Sequence, residues 1–288
     1  MATGLVLEGG GMRGIYTSGV LDELLQEGVK VDGLIGVSAG IIHGISYVSE
    51  QYARNIRYTV KYRGDKRFLS LTSLIKTGNL CEDEFCYNEI PFKLSPVDFE
   101  KFRENVKKGF RVFSVATNLE TGSAEYLPVT DVETQMDAIK ASASLPLVSR
   151  IVEYNGMKLL DGGSADSIPL KAMQERGYDR NIVVLTRPEG FVKKPDRSMP
   201  LMKKVYKDYP EYLATCENRY IDYNDELEYV KKEEKKGDTF VIQPSRYIKV
   251  SRSETDIEKI KRMYKLGRYD AKNLMVGIKH FMKNENMS

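Results

Sequence analysis

The sequence predicts an α/β fold: a three-layer sandwich with a mainly parallel central sheet and a helical C-terminal extension. Three observations carry this expectation. Short apolar runs alternate with helical stretches over the first 50 residues. The connections between those strands and helices are rich in glycine. Beyond about residue 200 the pattern changes to two long, polar helical stretches. The 288 residues, at about 150 per domain, suit two units, 1–188 and 189–288. Hydrophobic residues make up 41% and charged residues 30%, which excludes a disordered, collagen-like or disulfide-stapled chain.

The elements follow in order. Residues 4–7 are an apolar run ending in glycines, as a buried parallel strand does. In 16–27, Val20, Leu21, Leu24 and Leu25 share one helical face, and Gly28 stands at the C-terminal capping position. A second strand at 31–37 and a second helix at 39–47 complete a parallel pair with a right-handed crossover. Residues 50–108 read as helical and irregular, with turns at Gly64-Asp65, Gly78-Asn79 and Pro91. A strand at 110–116 faces a hairpin partner at 125–129, and 131–142 suits a helix. Asn155-Gly156 between 151–154 and 157–160 is a strong hairpin signal, and 182–185 is another buried strand. Residues 188–200 read as a linker or mobile loop. Helices at about 200–235 and 254–284 then flank a strand-like 239–242.

Charge and cysteine usage narrow the function. A net charge of +3 argues against nucleic acid as the main partner. Three cysteines without a C-x-x-C pair point to free thiols in a reducing compartment. The N-terminus lacks the basic region of a signal peptide, and the longest uncharged run, 33–49, is too short and polar to span a bilayer. A cytoplasmic protein is expected. The mildly basic C-terminal part, with Lys203, Lys204, Lys207, Lys231, Lys232, Lys235 and Lys236 among tyrosines, leaves room for peripheral contact with an anionic membrane.

Two glycine blocks bear on chemistry. Gly9, Gly11 and Gly14 satisfy G-x-G-x-x-G after a strand, and such glycines let N–H groups point at negative charge. The matching acidic residue, Asp32, sits at the start of the second strand rather than its end, which weakens a dinucleotide reading. Gly36-Val37-Ser38-Ala39-Gly40 is a G-x-S-x-G between strand and helix, the context of a nucleophile elbow; a plain turn with Ser38 capping the helix is the blander reading. The only histidines are His43, five residues along the same helix as Ser38, and His280, near the end of the last one. A carboxylate is then the remaining base. Asp161-Gly162-Gly163 follows an apolar strand, at the strand end where α/β active sites gather, although a simple Asp-Gly turn has the same sequence.

Gly9 to Gly14, Gly36 to Gly40 and Asp161 to Gly163 together resemble the patatin-like phospholipase family, as do 116–122 and 140–146. The resemblance covers about residues 3–187. It implies that 1–188 is the catalytic domain and that a serine–aspartate dyad hydrolyses lipid acyl esters without cofactor or metal. Ser38 is then the nucleophile and Asp161 the general base, with Gly162 and Gly163 forming the turn after it. The loop Gly9, Gly10, Gly11, Met12, Arg13 and Gly14 forms the oxyanion hole through the N–H groups of Gly10, Gly11 and Met12. Gly36, Val37, Ala39 and Gly40 shape the elbow. The motifs themselves say only acyl transfer; lipid comes from the resemblance. A nucleotide-binding oxidoreductase using Gly9 to Gly14, and a non-enzymatic membrane-surface protein, are the alternatives.

Overall fold

A computed structural model describes residues 2–283. Its centre is an eight-stranded, mostly parallel sheet covered by helices, including those of the C-terminal region. The first strands and helices are β1 (Thr3–Leu7), α1 (Ile15–Gln26), β2 (Gly33–Val37) and α2 (Ala39–Val48). Further along lie β3 (Arg111–Asn118), β4 (Ala124–Pro128), β5 (Val152–Tyr154), β6 (Met157–Asp161), β7 (Arg180–Val184) and β8 (Thr239–Ile242). The order is β5-β6-β3-β2-β1-β7-β8, with β4 also paired to β3. β1, β2, β3, β7 and β8 run parallel; β4, β5 and β6 pair in antiparallel fashion. β1, β2 and β7 are buried along their whole length, as strands covered by helices on both faces must be.

The register on β3 decides where the site lies. Val115 pairs with Val37 of β2 and Tyr126 of β4, so those two strands lie on opposite sides of β3. Ala116 pairs with Glu125 of β4 and Asp161 of β6. β6 therefore lies on the same side as β2. The two strands meet end to end along one edge of β3, β2 arriving at Val37 and β6 at Asp161.

Local chemistry moves several expected boundaries. The helix expected over 131–142 starts only at Met136, as α6 (Met136–Ala143). The Gln135 side chain accepts the N–H groups of Thr130 and Asp131 and holds the preceding residues in a turn. The helix expected over 200–235 is two, α8 (Met199–Val205) and α9 (Pro210–Lys236), because Pro210 lacks an N–H and begins a new helix. Residues 188–200 do not form a loose linker. Lys193 exchanges backbone hydrogen bonds with the Asn224 amide of α9, at 2.9 and 3.1 Å. Between Tyr52 and Lys107 the chain forms α3 (Arg54–Tyr62), α4 (Leu71–Thr77), a π-helical stretch (Glu84–Leu94) containing Pro91, and α5 (Phe99–Lys107). A short α7 (Leu170–Gln174) precedes β7.

The C-terminal region joins this framework directly. β8 extends the sheet beside β7, and α10 (Ile257–Lys283) lies on α1. Tyr264 donates to Asp22 at 2.9 Å and Tyr16 to Asp270 at 3.1 Å, while Arg268 pairs with Glu23. The helices approach so closely that a Cβ on Gly19 would strike the Tyr264 carbonyl, and one on Gly267 the Tyr16 carbonyl. Among the described residues no helix is long and apolar enough to cross a membrane. Lys203, Lys231 and Lys236 are each paired with a glutamate.

Because the obstacle at Gly267 is backbone, Gly267→Val should destabilise the protein by at least about 2 kcal/mol. Thermal unfolding checks this; an unchanged midpoint would contradict the close crossing.

Candidate active site

Ser38 occupies the turn between β2 and α2, with φ 55° and ψ −122°. A side-chain-bearing residue rarely adopts this backbone, and the surrounding structure has to enforce it. The glycines do so. A Cβ on Gly36 would come within 2.6 Å of the Ile41 nitrogen, and one on Gly40 within 2.5 Å of the Leu7 carbonyl. Only glycine at both positions lets the chain reverse this tightly. The Ser38 N–H donates to the Ser142 hydroxyl of α6 at 2.8 Å, which ties the elbow to its neighbouring helix. The helix N-terminus behind Ser38 adds a favourable field for negative charge near its hydroxyl.

Asp161 reaches Ser38 through the end-to-end meeting of β2 and β6. A Cβ on Gly162 would collide with the Val115 carbonyl, so the turn after β6 lies flat on β3. Gly163 donates its N–H to Asp161 Oδ1 at 2.8 Å, and the Thr117 hydroxyl holds the Asp161 carbonyl at 2.9 Å. Burial pushes the Asp161 carboxyl above the ordinary carboxylate range; the Ser38 hydroxyl, then Arg219, act in the opposite direction. Its Oδ2 is buried without a formed hydrogen bond. The hydroxyl is thus near enough to stabilise the carboxylate without reaching full hydrogen-bond geometry. A buried carboxylate with one free oxygen beside a hydroxyl is equipped to take a proton.

The glycine loop packs against the elbow. A Cβ on Gly9 would lie 2.9 Å from Ser38 Cβ, and one on Gly14 2.7 Å from Ala39 Cβ. The six loop residues divide by what their N–H groups do. Met12 donates to the Arg252 carbonyl at 2.9 Å and Arg13 to the Gly10 carbonyl at 3.2 Å, so neither N–H is available to a ligand. This removes Met12 from the expected set of donors. Gly10 and Gly11 donate to no backbone acceptor among the described residues. Asp32 accepts the Thr3 N–H at 2.7 Å at the far end of the strands, where it serves the sheet and not a ribose. No cluster of three His, Cys, Asp or Glu side chains among the described residues is placed to hold a metal ion.

Two cavities meet at Ser38, with Gly11 and Leu145 bordering both. One is apolar, walled by Met12, Ile42, Phe68, Tyr87, Ile90 and Ile139. The other, of about 220 Å³, is strongly basic: Arg13, Arg187, Lys193, Lys194, Arg219 and Arg252 line it. Apart from Arg13 these cations escaped the sequence reading, since no local spacing marks them; they converge only through the fold. Neither histidine lines the cavity that holds both Ser38 and Asp161. His280 is exposed on α10, and His43 is buried on α2 in the wall of the apolar cavity.

The fold and site define an α/β protein with a strained serine turn between β2 and α2 and a buried aspartate beside it. A model of the patatin-like phospholipase family matches residues 5–173, and a domain of unknown function (DUF6363) matches 209–283. The chain belongs to the patatin-like phospholipase family. Among its relatives is the uncharacterized protein YjjU of Escherichia coli, 27% identical over 92% of this chain and 74% of that protein. The lysophospholipase NTE1 of Candida albicans is 30% identical over 64% of this chain and 13% of that protein. Among solved structures, VipD from Legionella pneumophila is similar, with 15% identity and a TM-score of 0.46 over 96% of this chain and 67% of that one.

Burial lowers the His43 pKa to about 4, from 6.5 when exposed. Protons therefore bind the unfolded chain more readily between these values, and stability contributed by neutral His43 is lost as pH falls through that window. Between pH 7 and 4 the wild type should lose about 3 kcal/mol relative to His43→Gln. Denaturant unfolding at both pH values checks this; a constant difference would mean that His43 is charged or accessible when folded.

Proposed function

We propose that this protein is a lipid acyl-ester hydrolase of phospholipase A or lysophospholipase type, working through a Ser38–Asp161 dyad. The observation that carries the reading is the meeting of Ser38, in its strained elbow, with a buried carboxylate that has one oxygen free. Family membership and the NTE1 lysophospholipase relatives support lipid as the substrate.

In this reading Ser38 Oγ attacks the ester carbonyl carbon while its proton passes to Asp161 Oδ2. The carbonyl oxygen, now negative, accepts hydrogen bonds from the Gly10 and Gly11 N–H groups. When the tetrahedral intermediate collapses, the bond to the alcohol oxygen breaks and Asp161 returns the proton to the leaving alcohol. A water then repeats the sequence on the acyl-enzyme, with Asp161 as base, and releases the fatty acid and free Ser38. A carboxylate is a weak base toward a hydroxyl. Burial, which raises Asp161, and preorganised N–H donors, which stabilise the oxyanion, are what make the pair workable. The apolar cavity suits the acyl chain.

Kinetics on a neutral ester test the assignment. Ser38→Ala and Asp161→Asn should each abolish turnover, the general base alone being worth about 10²–10⁴-fold. Gly10→Val should cost about 10²-fold or more, on the scale of one lost oxyanion donor. His280→Ala and His43→Ala should keep most of the activity. A folded His280→Ala as inactive as Ser38→Ala would replace the dyad with a triad.

A further inference from the structure

The basic cavity beside Ser38 is not explained by ester hydrolysis. Its six cations make no ion pair within 4 Å among the described residues, although ion pairs are frequent elsewhere on the chain. Three carboxylates line the same cavity: Asp161, beside Ser38, and Glu8 and Asp196, both committed to neutral donors. Glu8 accepts from the Thr186 N–H at 2.5 Å, the Thr186 hydroxyl at 3.0 Å and the Tyr223 hydroxyl at 2.7 Å. Asp196 accepts the N–H and hydroxyl of Ser198, both at 2.8 Å. Arg13 is only 9% exposed and its Nε is buried with no hydrogen-bond partner. An unmatched guanidinium donor in a cavity with surplus positive charge favours an anion from outside.

The cost of this arrangement is visible in the cations themselves. Burial, with Arg187 and Arg252 nearby, pushes Arg13 down to about 10. Burial, with Arg219 and Arg252 nearby, pushes Lys193 down to about 7. Bound negative charge would relieve both.

Five of the six cations lie beyond the residues matched to the patatin-like family, and four of those five have a defined setting. Arg219 comes from α9, where its Nε donates to the Gly163 carbonyl beside the base. Arg252 follows β8 and holds the glycine loop through its own carbonyl. Arg187 and Lys193 stand on the segment after β7, against the rings of Phe191 and Tyr223. We propose that the C-terminal region completes a subsite for the phosphate of a net-anionic lipid headgroup, formed by Arg13, Arg187, Lys193, Arg219 and Arg252 next to Ser38. The inference rests on the hydrolase reading and adds a preference to it. With an acyl chain in the apolar cavity and its ester at Ser38, the phosphate falls in the basic one. A zwitterionic headgroup would bring its own cation into this surplus of positive charge.

The test compares kcat/KM for lysophosphatidylglycerol, lysophosphatidylcholine and a monoacylglycerol of the same acyl chain. The wild type should favour the anionic lipid over both others by at least about tenfold, the scale of one charge-assisted hydrogen bond. Arg187→Gln/Lys193→Gln and, separately, Arg252→Gln should each reduce that preference by about tenfold. Among the described residues these charged ends hold no hydrogen bond, and two independent variants guard against misfolding of one. No preference in the wild type, or a preference kept by both variants, overturns the subsite.

Failure of the hydrolase reading is read separately, as no turnover of any of the three esters. In that case calorimetric titration of the Ser38→Ala chain with glycerol 3-phosphate decides. Binding that Arg252→Gln abolishes supports the anion subsite, and no binding overturns it. Glycerol phosphate binding with no headgroup preference in turnover assigns the cavity to soluble phosphates and overturns the lipid proposal.

Discussion

One edge of β3 is shared by two strands, and the site depends on that sharing. β2 occupies the edge as far as Val115 and β6 takes it from Ala116 onward, so their carboxyl ends face each other across one register step. A parallel sheet ordinarily places its strand ends side by side, about 4.8 Å apart along the hydrogen-bonding direction. Here the antiparallel hairpin of β5 and β6 turns a second strand end toward the first. That brings the Asp161 carboxyl to the side chain of Ser38. The tight turns at Gly36, Gly40 and Gly162 follow from the same requirement, because each lies where a side chain would strike backbone.

The C-terminal region is bound into this arrangement by more than one route. β8 adds to the sheet, α10 lies on α1, Arg219 reaches the turn after Asp161, and the Arg252 carbonyl fixes Met12 in the glycine loop. The last contact has a direct chemical consequence. By taking the Met12 N–H it leaves Gly10 and Gly11 as the neighbouring N–H groups without a backbone acceptor among the described residues. The glycine loop, the Ser38 turn and Asp161 therefore form one structural unit with the region that follows them.

Much of this was legible in the sequence, and the parts that were not share a cause. Glycine spacing with alternating apolar runs identified β1, β2, α2 and the elbow, because those features are local. Asn155-Gly156 marked the β5–β6 hairpin for the same reason. The break between α8 and α9 at Pro210 was available but overridden by the polar helical pattern on both sides. The shortening of α6 depends on the Gln135 side chain reaching back to Thr130 and Asp131, which composition does not reveal. The basic cavity was invisible because Arg13, Arg187, Lys193, Arg219 and Arg252 are scattered over the whole chain. In sequence each of them but Arg13, which belongs to the glycine loop, looks like an ordinary surface cation.

The central claim is that Asp161 activates Ser38. Reaction with a fluorophosphonate followed by intact-protein and peptide mass spectrometry tests it most directly, since only an activated serine is phosphonylated readily. The account predicts a single adduct, on the Ser38 peptide, formed at a rate that collapses in Asp161→Asn while that variant remains folded. An unmodified Ser38, an adduct on another residue, or labelling of Asp161→Asn at the wild-type rate would contradict it.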